Sequence, residues 1–342
     1  MELVYINKNK NYKTILDVLK IEFNMSKRLI LKLKNSSQIY LNNVEKPAWT
    51  PININDEIKV ILDFEEDNSN IVPTNINLNI LYEDDFLIAI NKPPFMPVHP
   101  SASHYLDSLS NGIKYYYDSI GFNKKIRPIN RLDKDTSGIV LFAKNEYIQE
   151  CLVSQMKNKT FKKEYIALLN GVLNDNSGTI CAPISRKENS IIERVVNENG
   201  DTAITHYEVL KTINDISVVK FTLETGRTHQ IRVHSAYIGH PILSDTLYGK
   251  SSNLINRQAL HAYKVSFIHP ITKKQISIIA NLPEDIKMCI YPFNPLDIWN
   301  IFLYPNFLII VTTFLLLIPL WQYIITTLSL LGISFSTLLC IS

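Results

Sequence analysis

Apolar positions along this chain switch between helical and strand periods, and the switches mark its parts. Ile15, Leu16, Val18 and Leu19 fall on one helical face. Ser26 is placed to cap a second helix that runs through Leu29, Ile30, Leu31 and Leu33. Then follow a short strand, Ile39-Tyr40-Leu41, an Asn42-Asn43 turn and a strand over Glu57–Leu62. Residues 63–76 are acidic and Asn-rich, which predicts a linker. Strand-like Ile80-Leu81-Tyr82 and Leu87–Ile90 flank an acidic turn. The apolar run Ile139–Ala143 follows the polar turn Thr136-Ser137-Gly138, as a buried strand would. Ile148, Leu152 and Met156 recur every four residues, predicting an amphipathic helix over 145–158. Further strands are expected at Tyr165–Leu169 and Val218–Leu223, and an exposed hairpin or insertion over 190–203. Many short strands with few helices predict an α+β fold around one large, mostly antiparallel sheet. The pattern divides the chain into units at 1–62 and 77–290, with an apolar tail at 291–342.

Beyond Asp297 no charged residue occurs. Residues 301–320 and 321–340 are each long and apolar enough to span a bilayer. Three readings stay open for this tail: a membrane segment, an out-of-frame translation in an AT-rich gene, or a buried helical extension. The lack of flanking Lys or Arg counts against the first, and the lack of a polar face against the last.

The chain has 342 residues and a net charge of +3, so overall charge does not announce a nucleic-acid partner. Its distribution is more telling. Residues 1–62 hold ten Lys or Arg against six Asp or Glu. The cysteines 151, 181, 289 and 340 stand far apart, which fits a reducing, cytoplasmic setting better than a disulfide framework. The N-terminus lacks the apolar core of a signal peptide. No phosphate loop or dinucleotide fingerprint is present, so no cofactor is expected. The spacing of His229, His234 and His240 matches no metalloprotease helix, so no metal is expected either. Asp133 is the conspicuous candidate. It stands just before a strand, where a rigid scaffold could aim a carboxylate at an electrophilic carbon. The plain alternative is an Asx turn.

Arg131-Leu132-Asp133-Lys134-Asp135-Thr136-Ser137-Gly138 resembles the signature of the RluA-type RNA pseudouridine synthases. Lys163-Glu164-Tyr165-Ile166-Ala167 resembles that family's second motif, and Gly226–His234 its third. The matching Gly239–Ile242 and Asp245–Gly249 follow in the same order. The likeness covers about residues 77–290. It implies a pseudouridine-synthase fold, a catalytic Asp133, a Tyr165 that packs on the target base, and Arg232 as the partner of Asp133. Arg131 is the implied residue that fills the gap left by a flipped base. Asn130 stands where the family has His, and Thr136, Arg227, His229 and Gln230 are expected around the RNA. Residues 26–28, 44–47 and 54–58 resemble the helix start, loop and closing strand of an S4 RNA-binding domain. Lys27, Arg28, Lys32 and Lys34 would then meet phosphates. Taken together, the resemblance implies a monomeric enzyme that modifies ribosomal or transfer RNA. The alternative is a non-catalytic RNA-binding factor on the same fold. Membrane contact would come only through the 301–340 tail.

Overall fold

The computed structural model describes residues 1–64, 66 and 70–290. The tail expectations therefore lie outside the described residues. The N-terminal part runs β1 (Glu2–Ile6), α1 (Ile15–Ile21), α2 (Lys27–Asn35), β2 (Ile39–Leu41), β3 (Val44–Glu45) and β4 (Glu57–Ile61). Its strands form a four-stranded antiparallel sheet in the order β1-β4-β2-β3. The Ser26 hydroxyl accepts the Leu29 N–H at 3.1 Å and starts α2, while Leu29, Ile30 and Leu33 turn inward and are buried. Burying three such side chains contributes roughly 1.5–3 kcal/mol each. Strand β1 was not legible in the pattern, because its side chains alternate only between exposed and half-buried.

The rest runs β5 (Ile80–Glu83), β6 (Leu87–Lys92), α3 (Leu109–Ser119), β7 (Arg127–Pro128), β8 (Ser137–Ala143), α4 (Glu146–Lys157), β9 (Lys162–Asn170) and β10 (Ser177–Cys181). It continues with β11 (Ile184–Arg186), β12 (Arg194–Val196), β13 (Ile204–Ile213), β14 (Ile216–Leu223), α5 (Gln230–Tyr237), β15 (Leu260–Ile268), β16 (Gln275–Ile279) and α6 (Glu284–Ile290). A ten-stranded mixed sheet forms in the order β10-β13-β14-β9-β15-β8-β6-β5, with β16 on β15 and β7 on β8. Among the described strands, the one parallel pairing joins β15 to β8. Every residue of β8 is buried, as its uninterrupted apolar run requires. At Gly138, φ is +112°, and an added Cβ would stand 2.3 Å from the Ala262 carbonyl oxygen, so the parallel pairing needs a glycine there. The expected hairpin is β11–β12, which begins before residue 190 because Ile184 is drawn into the core.

The segment expected as a linker is held at both ends. Asp63 pairs with Lys124 at 2.6 Å, Glu66 pairs with Arg127 at 2.6 Å, and Asn111 donates to the Val72 carbonyl at 2.7 Å. Met1–Lys287 accordingly form one compact unit.

Candidate active site

Asp133 lies in the turn that leads into β8. Asn130 anchors the turn's approach: its amide donates to the Ile139 carbonyl and its carbonyl accepts the Leu141 N–H, both at 2.9 Å. Both polar ends of Asn130 are thus used on β8, a role that needs no titrating group. The Thr136 N–H closes the turn on the Asp133 carbonyl at 3.1 Å. Two buried cations hold the carbonyls that follow Asp133. Lys92 donates to the Lys134 carbonyl at 2.9 Å and to the Pro93 and Met96 carbonyls at 2.8 Å. Burial pushes Lys92 down to about 7, yet three carbonyl acceptors match the three N–H donors that only an ammonium has. Arg257 donates to the Asp135 carbonyl at 3.1 Å and is itself fixed by Asp285 at 2.7 and 3.0 Å.

The third motif brings α5 against this turn. Arg232 donates to Asp133 Oδ2 at 3.0 Å and grips Asp245 with two bonds at 2.7 and 2.8 Å. Asp245 is fully buried; burial lowers the Arg232 pKa, but the carboxylates of Asp245 and Asp133 together raise it further than burial lowers it. Asp133 Oδ1 has no hydrogen-bond partner among the described residues. His229 stands at φ +59° at the start of α5, with Nε2 3.7 Å from Asp133 Oδ2 and Nδ1 2.9 Å from the Tyr248 hydroxyl. Burial pulls the His229 pKa down, which favours the neutral ring. Tyr248 also accepts the Arg194 N–H at 2.8 Å, and its ring lies 5.2 Å from the Arg232 guanidinium. Tyr165, on β9, is buried and lines the same cleft. Burial first, and the Asp133 charge second, push its phenol pKa up.

The cleft measures about 1080 Å³ and its walls carry Arg131, Lys157, Lys159, Lys163, Arg194 and Arg227 against Asp133 and Glu224. A cleft with an excess of positive charge concentrates anions. Arg131 is exposed at the cleft. Two residues expected around the RNA are buried beside Asp133. Gln230 is buried, and its amide has four protein partners: Thr225 and the Arg227 N–H on the oxygen, Ile204 and Thr205 on the nitrogen. Its donors and acceptors are all spent on the loop, so it shapes the site from behind. Thr136 is buried as well. Arg227 reaches Asp201 at 3.2 Å and the Thr202 carbonyl at 3.1 Å from an exposed position.

Of the N-terminal basic residues, Lys27 and Lys34 are exposed. Arg28 and Lys32 instead reach Glu146 of α4, at 2.5 and 3.1 Å. Sequence reasoning missed Asp245 and Tyr248 as parts of the site. They lie in the Asp245–Gly249 segment, whose signal was present in the motif order. Arg257 carried no such signal.

A family model described as RNA pseudouridylate synthase matches residues 86–237. The chain is 39% identical to the uncharacterized RNA pseudouridine synthase YjbO of Bacillus subtilis, over 79% of this chain and 95% of that protein. It is 38% identical to the ribosomal large subunit pseudouridine synthase D of Blochmanniella floridana, over 65% of this chain and 75% of the relative. Among solved structures, human RNA pseudouridylate synthase domain containing 1 superposes with a TM-score of 0.51 at 26% identity, covering 60% of this chain and 83% of that one. With relatives this similar over most of its length, the chain belongs to the RNA pseudouridylate synthase family, enzymes that isomerise uridine in RNA.

Proposed function

We propose that the protein converts uridines of structured RNA, ribosomal RNA foremost, to pseudouridine, with Asp133 as the essential carboxylate. The observation that carries this reading is the division of labour at Asp133. Arg232 holds Oδ2, while Oδ1 has no partner among the described residues in a cleft rich in cations. The reaction is an isomerisation. The N1–C1′ bond breaks, the base turns, C5 bonds to C1′, and the proton lost from C5 is balanced by one gained at N1. Asp133 starts it either by attacking the sugar or by removing a sugar proton. A base inside a helix cannot reach Asp133, so it must leave its stack at a cost of a few kcal/mol. Arg131, exposed at the cleft, is suited to stack in the gap. Tyr165 stays protonated and forms one wall of the base slot. The names of the ribosomal relatives favour ribosomal RNA over other targets. Lys27 and Lys34 on α2 would add phosphate contacts.

The test is tritium release from RNA labelled at uridine C5, with the full chain beside its Asp133→Ala variant. Release by the wild type alone is expected. A wild-type protein that binds RNA yet releases no tritium would turn the assignment to the non-catalytic RNA-binding factor.

A further inference from the structure

Lys163 stands apart from the other cations of the cleft. It lies on β9 two residues before Tyr165, so the period of the strand sends both side chains to the same face. It lines the cleft together with Asp133 and Tyr165. Arg227 has Asp201, Lys159 has Glu224, and Arg232 has both Asp133 and Asp245. Arg194 donates to the Ile192 and Glu193 carbonyls, and Arg131 and Lys157 are exposed. Lys163 is half-buried, and among the described residues it has neither an ion pair nor a hydrogen-bond partner. Gly226 makes room for it: a Cβ added there would come within 3.2 Å of the Lys163 ammonium. The backbone at Gly226 does not sit in the left-handed region, so the space beside Lys163 is what the missing side chain provides.

A partly desolvated cation with no counter-charge costs stability, and burial alone moves its pKa down. Such a group is retained where a ligand supplies the missing anion. We infer that Lys163 seats a phosphodiester of the RNA backbone beside the flipped uridine, fixing the nucleotide against Tyr165 and Asp133. This inference rests on the RNA substrate proposed above. The contact is made to the ground state and the transition state alike, so its loss raises KM more than it lowers kcat.

The experiment uses the full chain with Lys163→Met and Lys163→Arg. Binding of a fluorescein-labelled stem–loop RNA with a uridine-rich loop is followed by anisotropy across a series of KCl concentrations. Tritium release gives KM and kcat, and thermal melting gives stability. For Lys163→Met we expect affinity to drop roughly tenfold and the slope of log K against log salt to shrink by about 0.7–0.9, the share of one phosphate. Its melting temperature should rise, since an uncompensated charge has gone. Lys163→Arg should restore the slope. An unchanged slope and affinity in Lys163→Met would overturn the inference. So would a lower melting temperature with kcat lost and KM kept, because that marks a structural role. Salt-dependent binding without tritium release by the wild type would sink the isomerase reading, while the slope comparison would still decide Lys163. A wild type that does not bind RNA would overturn both.

Discussion

At the scale of single residues, the site is a carboxylate held by one arginine that has a second anchor. Arg232 cannot drift from Asp133 because Asp245 holds it in a two-bond grip. Lysine in its place would keep the charge and lose that fork. Arg232→Lys should therefore lower kcat more than a hundredfold, about 3 kcal/mol at the transition state, with a smaller change in KM. Steady-state tritium release would check this, and a kcat within a few-fold of wild type would contradict it. Arg131 calls for a different comparison. If it stacks in the flipped base's gap, Arg131→Ala and Arg131→Lys should lose similar activity on structured RNA. The expected loss is roughly tenfold to a hundredfold in kcat/KM, since stacking on one base contributes about 1–3 kcal/mol. A lysine variant with near-normal kcat/KM would show that only the charge matters. The meeting of Asp133 with Arg232 at 3.0 Å was legible in the motifs. Gln230 shows what stays hidden: a sequence gives a polar side chain but not which of its bonds the protein already fills.

At the scale of elements, what could be read was local and what could not was pairing. The Ser26 cap with the Leu29–Leu33 stripe gave α2, and the four-residue recurrence gave α4, since both signals lie within one helix. That Lys32 on the first helix meets Glu146 on the second, more than a hundred residues later, leaves no trace in either period. The contact continues inward, where Arg127 and Glu66 pair at 2.6 Å with side chains 9% and 6% exposed. Glu146 is 8% exposed and lies 4.0 Å from Arg127, whereas Arg28 is 75% exposed. Solvent screens the Arg28 bond, so the inner pairs dominate. Glu146→Gln should leave Lys32 and Arg127 short of a counter-charge and destabilise the docking of α2 on α4 by on the order of 3 kcal/mol. Amide exchange in α1 and α2 should accelerate while that in β8 stays slow. Uniform exchange across both would mean that the N-terminal part is not docked through these charges.

At the scale of the whole molecule, the sheet is assembled from strands that are distant in the chain. Period and turn chemistry revealed several strands, but the order β9-β15-β8 was beyond reach, because neighbours are chosen by shape and burial between segments far apart in the chain. That order sets His261 of β15 behind the Asp133 turn, fully buried. Its Nε2 lies 3.0 Å from the Ala280 carbonyl, so Nε2 carries the proton and Nδ1 is left to accept the Ser137 hydroxyl at 2.9 Å. Both bonds suit a neutral ring. Burial, with the Arg257 charge adding to it, lowers the His261 pKa from 6.5 to about 4. Between these values the unfolded chain binds a proton that the folded protein refuses. Stability from this group is thus complete above about pH 6.5 and falls as the pH drops through about 4, by roughly 3 kcal/mol. His234 and His99, also shifted down by burial, act in the same direction. Urea unfolding near pH 7 and near pH 4 should show this loss for the wild type. His261→Gln should be less stable at neutral pH but markedly flatter between the two. A variant that falls as steeply as the wild type would mean that the proton is taken up elsewhere, and that the contact between β15 and the Asp133 turn survives acid.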